Sequence, residues 1–368
     1  GNQPFVNHVD TASSIRDMEQ LRRAMSIQKF SYIGFSYGTF MGSRYANLYP
    51  GHLRATVLDA VVDRNITDKQ LLTEVNGAFE LGWQKFKLWC QQTSACQLHG
   101  QNLDAVFAQQ VTKARANPIP APNNPFGNRP VNDWELTLAI QAVIAPGNVT
   151  YSWVDEILRK AQLGDASLAS LIYDSATGYD PSTDSYSPDG THRSIFCEDS
   201  TWSRSLRNAQ DVQNFAAQMQ ALSPRFGAAN VYQSPVQCFK FPIPPIETPP
   251  LPSKVGIGDG SHTLLIGATG DVITPLPSAV RISTQIVGSR LLTRVGDGHV
   301  SLGKSRCVEK AVNDTLIRLQ LPNFGTFCPT DSDLYTPEPP PVLEPSSSLR
   351  NGSASSYKLP GYIGLPFR

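Results

Sequence analysis

Phe30-Ser31-Tyr32-Ile33-Gly34-Phe35-Ser36-Tyr37-Gly38-Thr39 decides the fold. Phe30 to Ile33 is a short apolar strand. Gly34 to Gly38 reads G-x-S-x-G, the pattern of a tight strand-to-helix turn that projects a serine hydroxyl out of a sheet. Glycines two before and two after the serine keep strand and helix from clashing. Tyr37 to Tyr49 reads as the following helix, stopped by Pro50-Gly51. Gly42 lies one turn beyond Gly38, on the face that would pack on the sheet. The bare pattern is common; the strand before it and the helix after it give it weight.

Working outward, Ile15, Met18, Leu21 and Met25 recur at helical spacing over residues 11–26, and Ala55-Thr56-Val57-Leu58 is a second buried strand. Helix, strand, helix, strand implies a parallel sheet. From about 66 to 258 the character changes. Segments 69–89, 102–116, 133–144, 153–163 and 207–221 carry helical periodicity, separated by Pro- and Gly-rich stretches such as Pro118–Pro130 and Pro242–Pro252. The alternation then returns with strand 262–266, helix 275–287, strand 290–295 and helix 302–319. The expected organisation is an α/β core over 1–65 and 259–330, a mainly helical insertion over 66–258, and a Pro/Ser-rich tail over 331–368 without a core of its own.

A serine hydroxyl needs a base to take its proton, and the base needs an acid to orient it. In this architecture the chain order is Ser, then Asp or Glu, then His, each on a loop after a strand. Of the six histidines only His299 fits, in Gly296-Asp297-Gly298-His299 after strand 290–295. His262 starts a strand, at the wrong end of the sheet. Two acids compete: Asp271 follows strand 262–266, and Asp59 follows strand 55–58. Asp271 is preferred because it lies one strand before the histidine strand, which leaves Asp59 a structural part. The backbone N–H of Tyr37, at the start of the helix after Ser36, is the expected oxyanion donor.

Lys plus Arg and Asp plus Glu each number 31, so nothing steers the chain toward nucleic acid or an anionic membrane. There is no apolar run of the roughly 18 residues that a membrane helix needs. Six cysteines, none in a C-x-x-C pair or beside a histidine cluster, argue against zinc and for disulfides. Many pairings are open to six cysteines; pairing of sequence neighbours, Cys90–Cys96, Cys197–Cys238 and Cys307–Cys328, is the expectation tested below. Sequons at Asn65, Asn148, Asn313 and Asn351 agree with an extracellular protein. Neither a cofactor nor a metal is called for.

The segment Phe30–Thr39 resembles the nucleophile segment of the secreted tripeptidyl aminopeptidases, in the prolyl-aminopeptidase-like branch of the α/β hydrolases. Arg16-Asp17-Met18 is similar, as is Val57-Leu58-Asp59-Ala60-Val61-Val62-Asp63, although that family usually has Gly where this chain has Ala60. Gly270-Asp271 with Thr274-Pro275, Gly298-His299, and the run from Cys307 through Gly325-Thr326-Phe327-Cys328 match the acid, base and C-terminal segments. The resemblance implies an α/β-hydrolase, a mainly parallel sheet flanked by helices with a large helical cap, that hydrolyses peptides from a free amino end. Holding a cationic α-amino group requires carboxylates. Glu198 and Asp199, beside Cys197, are the most suggestive; Glu74, Glu80 and Glu135 are open alternatives. A carboxylesterase on the same triad and a non-catalytic binding protein are the competing classes.

The resemblance also implies strands and a Gly-rich oxyanion segment ahead of the nucleophile strand. Only 29 residues precede Phe30, and they hold one helix. A separate N-terminal fragment of the same precursor is therefore the expected partner, completing the sheet and the oxyanion hole.

Overall fold

The computed structural model describes residues 6–180, 185–186, 190–245, 255–256 and 262–343. These fall into two compact units, one within residues 1–78, 190–215 and 231–335, the other within 79–189, 216–230 and 336–368.

The first unit is built on a five-stranded sheet. Helix α1 (Thr11–Ala24) leads into β1 (Phe30–Phe35), α2 (Tyr37–Leu48) and β2 (Leu53–Asp59). After helix α3 (Gly190–Glu198) come β3 (Thr263–Gly270), α4 (Leu276–Gln285), β4 (Arg290–Asp297), α5 (Arg306–Asn313) and β5 (Thr326–Pro329). The strands lie in the order β1-β2-β3-β4-β5, and every neighbouring pair is parallel. All five carboxyl ends therefore point the same way, where loops of an open parallel sheet build their sites.

Side-chain alternation sorts the sheet into two faces. Leu58 and Leu265 pack with Ile15 and Tyr45 from α1 and α2, and with Ala279 and Ile282 from α4. Val57, Leu264, Ile266 and Leu292 pack with Val308 and Val312 from α5 and with Cys328. The central strands β2 and β3 read as near-continuous apolar runs because both of their faces are covered. Gly42 permits the first of these contacts: a Cβ there would lie 2.4 Å from Tyr32 Cε1 and 2.8 Å from Leu58 Cδ2.

The second unit is helical, with Leu103–Ala116, Asp133–Ile144, Tyr151–Gln162 and Ser167–Thr177. Its aromatic core includes Trp83, Phe86, Phe107 and Phe226. Arg225 lies over the Trp83 ring and pairs with Glu80 and Asp104.

Two boundaries differ from the expectation. Residues 190–215 and 231–245 go with the sheet unit rather than with an unbroken 66–258 insertion. The Cys197–Cys238 disulfide ties them together, and Asp199 and Thr201 bond to Thr11 and Asp68. The described part of the tail is also anchored: Tyr335 is buried in the first unit, and within the second Trp153 Nε1 donates to the Glu338 carbonyl. The expected 302–319 helix starts only at Arg306 and ends in a π turn over Asp314–Arg318. Strand β5 carried too short an apolar run to be read from sequence.

All three neighbour disulfides are present: Cys90–Cys96, Cys197–Cys238 and Cys307–Cys328. The last ties α5 to β5. No helix among the described residues is long and apolar enough to cross a membrane. Of the sequons, Asn148 and Asn313 are exposed. Asn65 is half-buried, with its amide nitrogen bonded to Gln285 and its oxygen to Arg44. Asn351 lies outside the described residues.

Candidate active site

Ser36 sits where the G-x-S-x-G pattern put it, between the end of β1 and the first residue of α2. Its backbone is left-handed, with φ 51° and ψ −122°, a conformation costly for any residue with a Cβ. Surrounding bonds hold it there. Ser36 N donates to the Asp59 carbonyl at 3.0 Å, and the Ser36 carbonyl accepts from Thr39 N and Thr39 Oγ1. Gly34 is obligatory, since a Cβ there would lie 2.5 Å from the Gly38 carbonyl oxygen. Gly38 serves as the backbone that Gly34 approaches; its own missing Cβ would meet only Tyr32 Oη at 3.6 Å.

Asp271 and His299 meet across the carboxyl ends of β3 and β4. His299 Nδ1 lies 2.8 Å from Asp271 Oδ2. The carboxylate is buried and also accepts from Ile273 N, Thr274 N and Thr274 Oγ1. Burial alone would raise its pKa; His299 and these donors outweigh burial and hold it below the usual carboxylate range. Asp271 is therefore ionised, and Nδ1–H is the donor, which leaves Nε2 as the basic nitrogen.

Asp59, the competing acid, makes a different set of bonds. It lies at the end of β2, fully buried, and its carboxylate accepts from Ser301 N and Leu302 N just after His299. Its carbonyl holds Ser36 N. One residue thus ties the nucleophile turn to the base loop.

Asp199 is bonded to α1: Thr11 N and Thr11 Oγ1 donate to its two oxygens at 3.0 and 2.5 Å. Tyr37 Oη bonds both Thr11 Oγ1 and Asp199 Oδ2. This pins the residue after the nucleophile. Glu198 is different. It is 0 % exposed, and neither carboxylate oxygen has a hydrogen-bond partner among the described residues. Burial first, then the charges of Asp10 and Asp199, push its pKa up to about 7. Glu74, Glu80 and Glu135 are each ion-paired, with Arg281, Arg225 and Arg129. Of the five carboxylates considered, only Glu198 accepts no hydrogen bond among the described residues.

Sequence reasoning missed the supports behind the base loop. Arg294 is on β4, fully buried, and Lys304 lies five residues past His299. The first carried a readable signal: alternation from buried Leu292 puts Arg294 on the same inward face.

A parallel sheet with a serine elbow, and with an Asp–His pair on later carboxyl-end loops, defines the α/β-hydrolase fold. Comparison with known proteins narrows this. Residues 223–328 match the TAP-like protein family. The chain is a homologue of serine protease Hip1 from Mycobacterium tuberculosis, 26 % identical over 346 residues covering 88 % of this chain and 62 % of that protein. It is likewise a homologue of tripeptidyl aminopeptidase from Streptomyces lividans, 28 % identical over 317 residues, 84 % of this chain and 56 % of that protein. A shorter match joins it to the putative hydrolase YuaR of Escherichia coli, 25 % identical over 118 residues, 31 % of this chain and 24 % of that protein. The chain thus spans about three fifths of the length of the first two.

Proposed function

We propose that this chain carries the catalytic centre of a secreted serine exopeptidase that releases short pieces from the free amino end of peptides. Ser36 Oγ attacks the scissile carbonyl, and His299 Nε2 takes its proton and returns it to the leaving amine. Asp271 keeps the imidazole in the required tautomer. The Tyr37 N–H, at the positive end of α2, stabilises the oxyanion. Water then hydrolyses the acyl-enzyme by the same proton path.

The observation that carries the hydrolase reading is the 2.8 Å Asp271–His299 bond, with Asp59 linking that base loop to the strained Ser36 turn. The preference for a free amino end rests on Glu198, a buried carboxylate with open oxygens one residue before the Asp199 that pins Tyr37. A cationic α-amino group would complete it, and the name of the Streptomyces lividans homologue points the same way. Three disulfides suit an oxidising compartment.

The test is a pair of chromogenic substrates, a peptide anilide with a free amino group and a simple acyl ester, with fluorophosphonate labelling of Ser36 in parallel. Cleavage of the anilide, and its loss on N-acetylation, is expected. Cleavage of the ester alone would favour a carboxylesterase, and absence of labelling would favour a non-catalytic binding protein.

A further inference from the structure

The base loop is an improbable piece of backbone. Gly296, Gly298 and Val300 all have positive φ, at 143°, 90° and 65°, so three left-handed residues fall within five positions around His299. Valine is β-branched and disfavours this region most. Such a loop keeps its shape only if its surroundings over-determine it.

Three buried charged side chains do so, all through backbone atoms. Arg294 Nη2 donates to the carbonyls of Asp297 and Gly298 at 2.9 and 2.8 Å, while its Nη1 is held by Thr330 Oγ1. Lys304 Nζ donates to the His299 carbonyl at 2.5 Å. Asp59 accepts from Ser301 N and Leu302 N. The Lys304 ammonium also lies 4.4 Å from the centre of the Tyr335 ring, and a Cβ on Gly298 would touch both Tyr335 and Lys304. The carbonyls from Asp297 to His299 thus point at cations, and the N–H groups of Ser301 and Leu302 at the Asp59 carboxyl group.

We infer that Lys304 is a positioning residue for the proposed triad: its ammonium fixes the His299 carbonyl and so the direction in which the imidazole leaves the backbone. It rests on the hydrolase reading for its catalytic consequence but not for its structural one. It touches no reacting atom. The charged and titratable groups around it are Arg294 on β4, Asp59 after β2, Asp271 after β3, His299 on its own loop and Tyr335 beyond β5. Burial, reinforced by Arg294 and opposed by the two aspartates, brings its pKa down to about 8. The charge on which the clamp depends is therefore lost at mildly alkaline pH.

The test uses Lys304→Met, which removes donor and charge, and Lys304→Gln, which keeps a donor without charge. A charge-assisted hydrogen bond corresponds to a roughly ten- to hundred-fold effect. The expected result for Lys304→Met is a fall of that size in kcat and in the rate of fluorophosphonate labelling, with KM within about two-fold. Lys304→Gln should recover part of the loss. With the fluorophosphonate, which carries no amino group to titrate, the native labelling rate should fall above pH about 8, and both variants should lack that limb. The downfield proton resonance of His299 Nδ1–H, bonded to Asp271, should broaden in Lys304→Met and in the native protein above the same pH. That resonance requires no turnover, so a protein that labels with nothing yet shows this dependence would refute the hydrolase reading and uphold the clamp. A native profile and resonance unchanged to pH 10, or a Lys304→Gln protein with native kcat and an intact alkaline limb, would overturn it even if Lys304→Met failed to fold.

Discussion

At the scale of single residues, two aspartates at neighbouring strand ends do different work. Asp271 faces an imidazole nitrogen and Asp59 faces two backbone N–H groups. Asp271→Asn should lower kcat by about 10⁴, because the amide leaves His299 in the wrong tautomer, with stability little changed. Asp59→Asn should chiefly lower stability. Steady-state kinetics beside thermal melts separate them, and the reverse pattern would exchange their roles. Glu198 gives a second residue-level expectation. Its pKa rises on folding from an ordinary 4.5 to about 7. The folded chain thus binds a proton that the unfolded chain releases in that window, and stability falls as pH rises through it. Glu198→Gln removes this loss. It should stabilise the protein by on the order of 1–3 kcal/mol at pH 8 and by almost nothing at pH 4. Turnover of free-amine peptides should drop through KM. A gain of the same size at both pH values would disprove a titrating origin.

At the scale of elements, the turn after β2 carries a strain that the sequence explains. Ala60 is buried with φ 64°, where the resembling family usually has Gly. A left-handed alanine costs roughly 1–2 kcal/mol, and glycine would relieve it at some cost in unfolded-chain entropy and lost packing. Ala60→Gly should therefore raise the denaturation free energy by about 0.5–1 kcal/mol, as urea melts would show; an unchanged or lower midpoint would locate the strain elsewhere. Gly42→Ala should act the opposite way, since Tyr32 and Leu58 leave no room for a methyl. These positions show why much of the fold was legible. The elbow glycines, the helix stops and the apolar runs of β1 to β4 are local signals, and each element formed within a few residues of its expected place. What was not legible is long-range. β5 is only four residues and gains its place from pairing with β4 and the Cys307–Cys328 link. Residues 190–215 read as part of a helical insertion because nothing local shows that Asp199 will bond Thr11, 188 positions away. Alternation could place Arg294 on an inward face, but the partners of Arg294 and Lys304 were not legible, because only the folded loop turns its carbonyls toward them.

At the scale of the whole sheet, the two edges differ. β5 is short and carries Phe327 outward, whereas β1 is six residues long and directly precedes Ser36. Among the described strands, β1 pairs with β2 alone. Its Phe30 N–H donates to His52, and the Ser36 N–H beyond it to Asp59, so alternation turns the N–H groups of Ser31, Ile33 and Phe35 away from β2. Ile33 and Phe35 are each 39 % exposed. Strands of parallel sheets are ordinarily covered on both faces and paired on both sides, and an open apolar edge is an invitation to another strand. We propose that a strand from an N-terminal segment of the same precursor pairs in parallel with β1. Such a strand would also bring its following loop near Ser36, where a second oxyanion N–H is needed; loss of one such donor costs about 3 kcal/mol in the barrier. Hydrogen exchange tests this residue by residue. In this chain alone, the amides of Ile33 and Phe35 should exchange much faster than those of Tyr32 and Gly34. With the N-terminal segment supplied in trans, the first pair should gain protection while labelling of Ser36 by fluorophosphonate accelerates. If Ile33 and Phe35 were as protected as Tyr32 in this chain alone, the β1 edge would already be closed and the partner unnecessary.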